Sequence, residues 1–203
     1  MKKTILIFCA VLILGWAGTA DAQQCQEALK GVIARKNAAP SCNPATNEVG
    51  DRGEYATGMN VAENNMKCIP YTADCSGTLG YAYAYHSGTD AENVKVVVYS
   101  DAAAGGAPVV GDLKIAASAA MSSSTDAEWA QSSGKLGGSV TSGNPYWVCL
   151  VSDSTVWVNN IQTTGSVSIW LNTGSNYAAP PDNLDGTWGE TTTNEVSVYV
   201  AIE

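Results

Sequence analysis

The sequence predicts an all-β protein: an antiparallel two-sheet β-sandwich, jelly-roll-like, behind a short N-terminal helical and loop segment. Three observations predict it. From about residue 54 onward, short runs alternate β-branched or aromatic residues with small or polar ones, as in NVKVVVYSD and NEVSVYVAIE. Between these runs lie turn-forming clusters, HSGTDAEN, SDAAAGGAP, GGSVTSGNP, NTGSN and PPDNLDG. Finally, no long run of helical period separates the strands, so consecutive strands are expected to pair antiparallel and not through helical crossovers.

In chain order, Lys2 and Lys3 precede an apolar run from Thr4 to Trp16 and the small-residue site Ala20-Asp21-Ala22, the order of parts in a secretory signal. Cleavage after Ala22 leaves 181 of the 203 residues, enough for one core. A membrane span needs about 20 apolar residues; the leader run is shorter and no later stretch approaches that length, so no membrane insertion is expected. The residues before Cys25 are Ala22-Gln23-Gln24, a poor lipid-attachment site. The expected compartment is extracellular or at the cell surface, with the periplasm as the other location open.

Residues 23–53 read as an N-terminal arm. QEALKGVIARKN places Ala28, Val32 and Ile33 at helical spacing, and AAPSCNPATNEVGDRG then reads as loop. The sandwich is expected over 54–203. Its strands are expected near 54–61, 78–86, 93–100, 109–118, 127–131, 145–152, 154–161, 165–171 and 194–203. In 93–100 the residues Val94, Val96 and Val98 share a core face, with Lys95, Val97 and Tyr99 on a half-exposed one. The continuous apolar run PYWVCLV predicts a central strand covered on both sides.

Five cysteines follow the leader, and an oxidising compartment favours disulfides over metal thiolates. The nearest pair, Cys68 with Cys75, brackets IPYTAD, whose Pro70 and Asp74 form turns; Cys25 with Cys42 would tie down the arm. Cys149 is left as the unpaired candidate, a buried small hydrophobe or a partner for an N-terminal cysteine or another subunit.

From Val94 to Asp153 the chain resembles secreted bacterial β-sandwich modules of unassigned function. The matching pieces are VKVVVYSD, Pro108, Ser118, the lone Trp129 and SGNPYWVCLVSD. The resemblance implies a jelly-roll-like sandwich used for binding, adhesion or assembly outside the cell, and it carries over no catalytic residue.

Charge excludes one class of partner. With 19 acidic and 10 basic residues the net charge is −9, and loss of Lys2, Lys3 and Asp21 takes it to −10. Such a chain lacks the basic footprint of a nucleic-acid binder. A hydrolytic triad would depend on the sole histidine, His86, at a strand end, and no GxSxG accompanies it. Paired carboxylates on one strand face are also missing, so the chain is not expected to be an enzyme. No cofactor is expected; a structural calcium held by Asp182, Asp185 and Glu190 in PPDNLDGTWGE is the one ion left open.

What remains is binding. The first expectation is a secreted non-catalytic structural or adhesive subunit, self-associating or meeting other extracellular proteins and able to build a surface or filament structure. The alternative is a free-standing carbohydrate-binding module, in which exposed Trp157 with Asn159, Trp188 in its Gly-rich loop, and Tyr81, Tyr83 and Tyr85 meet polysaccharide. Trp147 and Trp170 are expected in the core. For GYAYAYHSG two orientations are open, and the tyrosine side is expected inward, filling the core of a chain whose mature part lacks phenylalanine.

Overall fold

A chain with strand-forming runs and no long helix must satisfy its backbone N–H and C=O groups between strands, and it does so in two antiparallel sheets. The computed structural model describes residues 42–53, 57–86, 93–104, 106–122, 128–154, 156–161, 168–174, 177–193 and 195–203. Among these residues there is no helix. The strands are β1 (Glu48–Asp51), β2 (Thr57–Val61), β3 (Asn65–Thr72), β4 (Gly77–His86), β5 (Asn93–Ser100), β6 (Lys114–Ala117), β7 (Met121–Ser122), β8 (Glu128–Gln131), β9 (Ser139–Val140), β10 (Pro145–Ser152), β11 (Val156–Ile161), β12 (Ser168–Thr173), β13 (Gly189–Thr193), β14 (Glu195–Val196) and β15 (Val198–Ile202). One sheet runs β1-β15-β4-β11-β14, with β2 on β11 and β8 and β9 on β4; the other runs β13-β12-β3-β10-β5-β6, with β7 on β5.

The main core lies between the sheets. The first sheet contributes Val49, Val61, Leu79, Ala82, Ala84, Val196, Val198, Val200 and Ile202, and the second Ile69, Val94, Val96, Val98, Tyr146, Val148 and Leu150. Burying one such valine fully contributes about 1.5 to 3 kcal/mol. Tyr71 crosses the gap, its hydroxyl donating to the Val196 carbonyl at 3.2 Å.

A second core covers the outer face of the second sheet. Met66, Cys68, Val97, Tyr99, Trp147, Cys149 and Val151 are buried there with Leu184, and Trp170, Tyr177 and Trp188 pack against them. The covering chain is a strap of residues 177–188. Tyr99 Oη donates to the Pro181 carbonyl at 2.9 Å, Lys114 Nζ to the Pro180 carbonyl at 2.8 Å, and Lys95 Nζ to the Tyr177 carbonyl at 3.0 Å. β10 is therefore central and covered on both faces, as its unbroken apolar run predicts. On the other face of β5, Val97 and Tyr99 are fully buried under the strap and, of the three residues expected there, only Lys95 stays partly exposed, so less of that face is open than expected.

Several expectations are corrected. β1 lies in the stretch read as loop and pairs with β15, so the sandwich takes in residues before 54. β3 falls where Pro70 suggested a turn; it pairs with β10 from Met66 to Thr72 and with β12 only from Asn65 to Cys68. Pro70 thus sits beyond the paired length of β12, where a missing N–H is tolerated. The disulfides are Cys42–Cys75 and Cys68–Cys149. Cys68 and Cys149 face each other in register on β3 and β10, a pairing invisible until the strands are aligned. Cys68 therefore does not pair with Cys75, Cys42 does not pair with Cys25, and Cys149 is not a free thiol. Cys25 lies outside the described residues, as do the signal segment and the expected arm helix.

Candidate functional site

β4 carries the stripe that gives the molecule its most distinctive surface. Its alternation is reset by a bulge: Val200 faces Ala82 and Ile202 faces Leu79, so Gly80 and Tyr81 together oppose Ala201. Ala82 and Ala84 point into the core with no exposure, and Tyr81, Tyr83 and Tyr85 point outward, each partly buried. This reverses the expected orientation. Both alanines lie opposite valines of β15, Val200 and Val198, which are themselves fully buried. The core on this side is filled by valines of neighbouring strands, so the space next to β4 is left for methyl groups and the rings must face out.

Neighbouring strands extend the stripe into a cluster. Tyr199 of β15 stands opposite Tyr83, ring centroids 4.5 Å apart and planes within 14°. Trp129 of β8 stands opposite Tyr85 and meets it edge to face at 5.3 Å. Its indole also reaches across β4 to Tyr199 at 5.1 Å. From the β1 side, the Arg52 guanidinium carbon sits 4.3 Å from the Tyr199 centroid. Arg52 is itself held by Glu48 and by the carbonyls of Ala45 and Pro44. At the other end, Lys135 Nζ lies 6.0 Å from the Tyr81 centroid and pairs with Glu203 at 2.6 Å.

The electrostatics follow from this packing. Burial raises the Tyr199 hydroxyl above its ordinary range, Arg52 opposes the rise and Tyr83 adds to it. The hydrogen bond from Lys135 to Glu203, and then their attraction, hold the ammonium above its usual value. The Tyr199 hydroxyl therefore stays protonated at neutral pH. Chemically, the face offers ring edges, hydroxyls and two tethered cations. Tyr199 has Tyr83 on its β4 side and Arg52 on its β1 side, so its broad faces are covered within the protein.

The other sequence-predicted residues are scattered. Trp157 and Asn159 lie on β11 opposite Asn60 and Gly58, with side chains outside the described residues. The His86 side chain is likewise outside them; its backbone ends β4 opposite Glu128. Trp188 is partly buried against the second core, and its indole N–H is buried with no acceptor among the described residues. Trp147 is fully buried, and Trp170 is partly buried against the same second core.

The three calcium candidates do not come together. Asp182 pairs with Lys114 at 2.6 Å, Asp185 is exposed, and Glu190 sits on β13 opposite Trp170. Among the described residues no group of three or more His, Cys, Asp and Glu side chains converges.

Sequence reasoning missed Tyr199, Trp129 and Arg52 as members of the cluster. Tyr199 was findable, because it has the opposite parity to the core valines of β15. Trp129 and Arg52 required knowing that β8 joins β4 and β1 joins β15. No family model matches the chain, and no curated protein matches it.

Proposed function

We propose that this chain is a non-catalytic extracellular structural or adhesive subunit that meets a neighbouring protein through the outward aromatic face of β4, β8 and β15. The observation that carries the reading is the contiguity of Tyr81, Tyr83, Tyr85, Trp129 and Tyr199 on one solvent-facing sheet surface. Aromatic clusters with hydroxyl rims are the usual material of protein contact surfaces. Tyr83, Tyr85, Trp129 and Tyr199 already pack on one another, and rings so held lose less rotamer freedom on association. Two disulfides suit an oxidising compartment.

Polysaccharide is the second reading, favoured by Tyr81, whose ring lies outside the stacked group. It is weaker because sugars stack on open ring faces, and the centre of this cluster has its faces occupied by Tyr83 and Arg52.

Sedimentation velocity and electron microscopy of concentrated wild type and of Tyr83→Ser/Trp129→Ser compare the readings. Association in the wild type that the double variant lacks, at unchanged disulfide content, is the expected result. A wild type that stays monomeric, shows no filament and captures no protein neighbour overturns the adhesive reading. A polysaccharide pull-down lost in Tyr81→Ala transfers the face to sugar.

A further inference from the structure

Away from the aromatic face, β5 runs into its connection to β6 through two buried carboxylates that are treated very differently. Asp112 has no exposure and is fully bonded. Its Oδ1 accepts from the Ala102 amide at 2.6 Å, and its Oδ2 accepts from the Val109 amide at 2.8 Å and from Trp147 Nε1 at 3.0 Å. Asp101, one residue before Ala102, is 8% exposed, and neither of its carboxylate oxygens has a hydrogen-bond partner among the described residues. The lysines on either side in sequence are committed elsewhere, Lys95 to the Tyr177 carbonyl and ring and Lys114 to Pro180 and Asp182.

A buried carboxylate without donors is among the least favourable groups a fold can hold. A neutral acid costs less than the anion but still needs an acceptor for its O–H and a donor for its carbonyl. A cation satisfies both oxygens at once. Asp112, anchored on the amide next to Asp101, supplies a second acidic group nearby. Side chains at Ala102, Ala103 and Ala104 offer no ligand, so the remaining shell must be main-chain carbonyl oxygen and water, the ligands of a hard cation.

We propose that Asp101 is a ligand of a calcium-class cation held where β5 enters its connection to β6. The site differs from the exposed Asp182, Asp185 and Glu190, and it is independent of the proposed contact face. With one direct carboxylate and mostly neutral oxygens, its affinity belongs with extracellular calcium modules, about 10⁻⁴ to 10⁻³ M.

The full-length secreted chain, stripped with chelator, is titrated with calcium while thermal unfolding is followed. Millimolar calcium is expected to raise Tm in the wild type and in Asp185→Asn, and to leave Asp101→Asn unmoved. An unmoved wild type under calcium, magnesium or sodium overturns the proposal, and so does an Asp101→Asn protein that keeps the calcium shift. Terbium emission excited through indole in the wild type, displaced by calcium, gives a readout that does not require the variant to fold. Absence of that emission counts against the site equally.

Discussion

Asp153 shows how single polar groups hold strand ends together in this molecule. It follows β10, and its Oδ1 accepts from the Asn93 amide at 3.1 Å and Ser154 Oγ at 3.2 Å, while Oδ2 accepts from Asn93 Nδ2 at 2.8 Å. Asn93 also accepts from Ser122 Oγ at 2.9 Å, so one residue ties β10, β5 and β7. Burial pushes the Asp153 carboxyl up, but the bonds from Asn93 and Ser154 outweigh it and hold it below its ordinary 3.8. A carboxyl depressed in the folded state stabilises above its unfolded pKa, and the contribution is lost as pH falls through the folded value. Asn93→Ala is therefore expected to cost about 1 to 2 kcal/mol at pH 7, as charge-assisted bonds do, and clearly less at pH 3. Urea unfolding at the two pH values measures this; an equal cost at both would remove the ionised carboxylate from the account.

Among the elements, the two disulfides divide the work by depth. Cys68 and Cys149 have no exposure, lying under the strap on adjacent strands. Cys42 is partly buried near the start of the described chain, and its partner Cys75 is 3% exposed. Reductant reaches a buried bridge only when the covering segment opens. Mild reduction followed by alkylation and mass spectrometry is expected to label Cys42 and Cys75 first; labelling of Cys68 and Cys149 at the same rate would mean that the strap does not protect them. On loop-closure grounds the bridges, with sequence separations of 33 and 81, contribute on the order of 4 and 4.5 kcal/mol. The same elements show what the sequence makes legible. β5 and β10 were readable to the residue because β-branched runs bounded by turns carry their own signal. β3 was not, because a proline masked it and its identity comes from the neighbours it lies between. The cysteine pairs, the Tyr face and the second core were hidden for the same reason: each depends on which strands end up side by side, and periodicity within one strand is silent on that.

At the scale of the whole molecule, charge and the aromatic face pull in opposite directions. The chain carries −9, so two copies repel over distances comparable with the Debye length, about 8 Å at physiological ionic strength. The face itself is locally different: Arg52 and Lys135 are its charged members, each paired to one glutamate, and its area is ring and hydroxyl. Contact between copies through this surface would gain from ring burial, which salt does not weaken, and would be opposed by long-range repulsion, which salt screens. Self-association is therefore expected to strengthen when ionic strength rises from about 10 mM to about 500 mM, where the Debye length shrinks to a few ångströms. A contact built on a basic partner behaves in the opposite way, because screening removes the attraction of the acidic body for it. Sedimentation equilibrium of the wild type at the two salt concentrations separates the cases, with Tyr83→Ser/Trp129→Ser as the control that should show neither trend. Association that weakens with salt would move the contact off the aromatic face and onto the acidic surface around it.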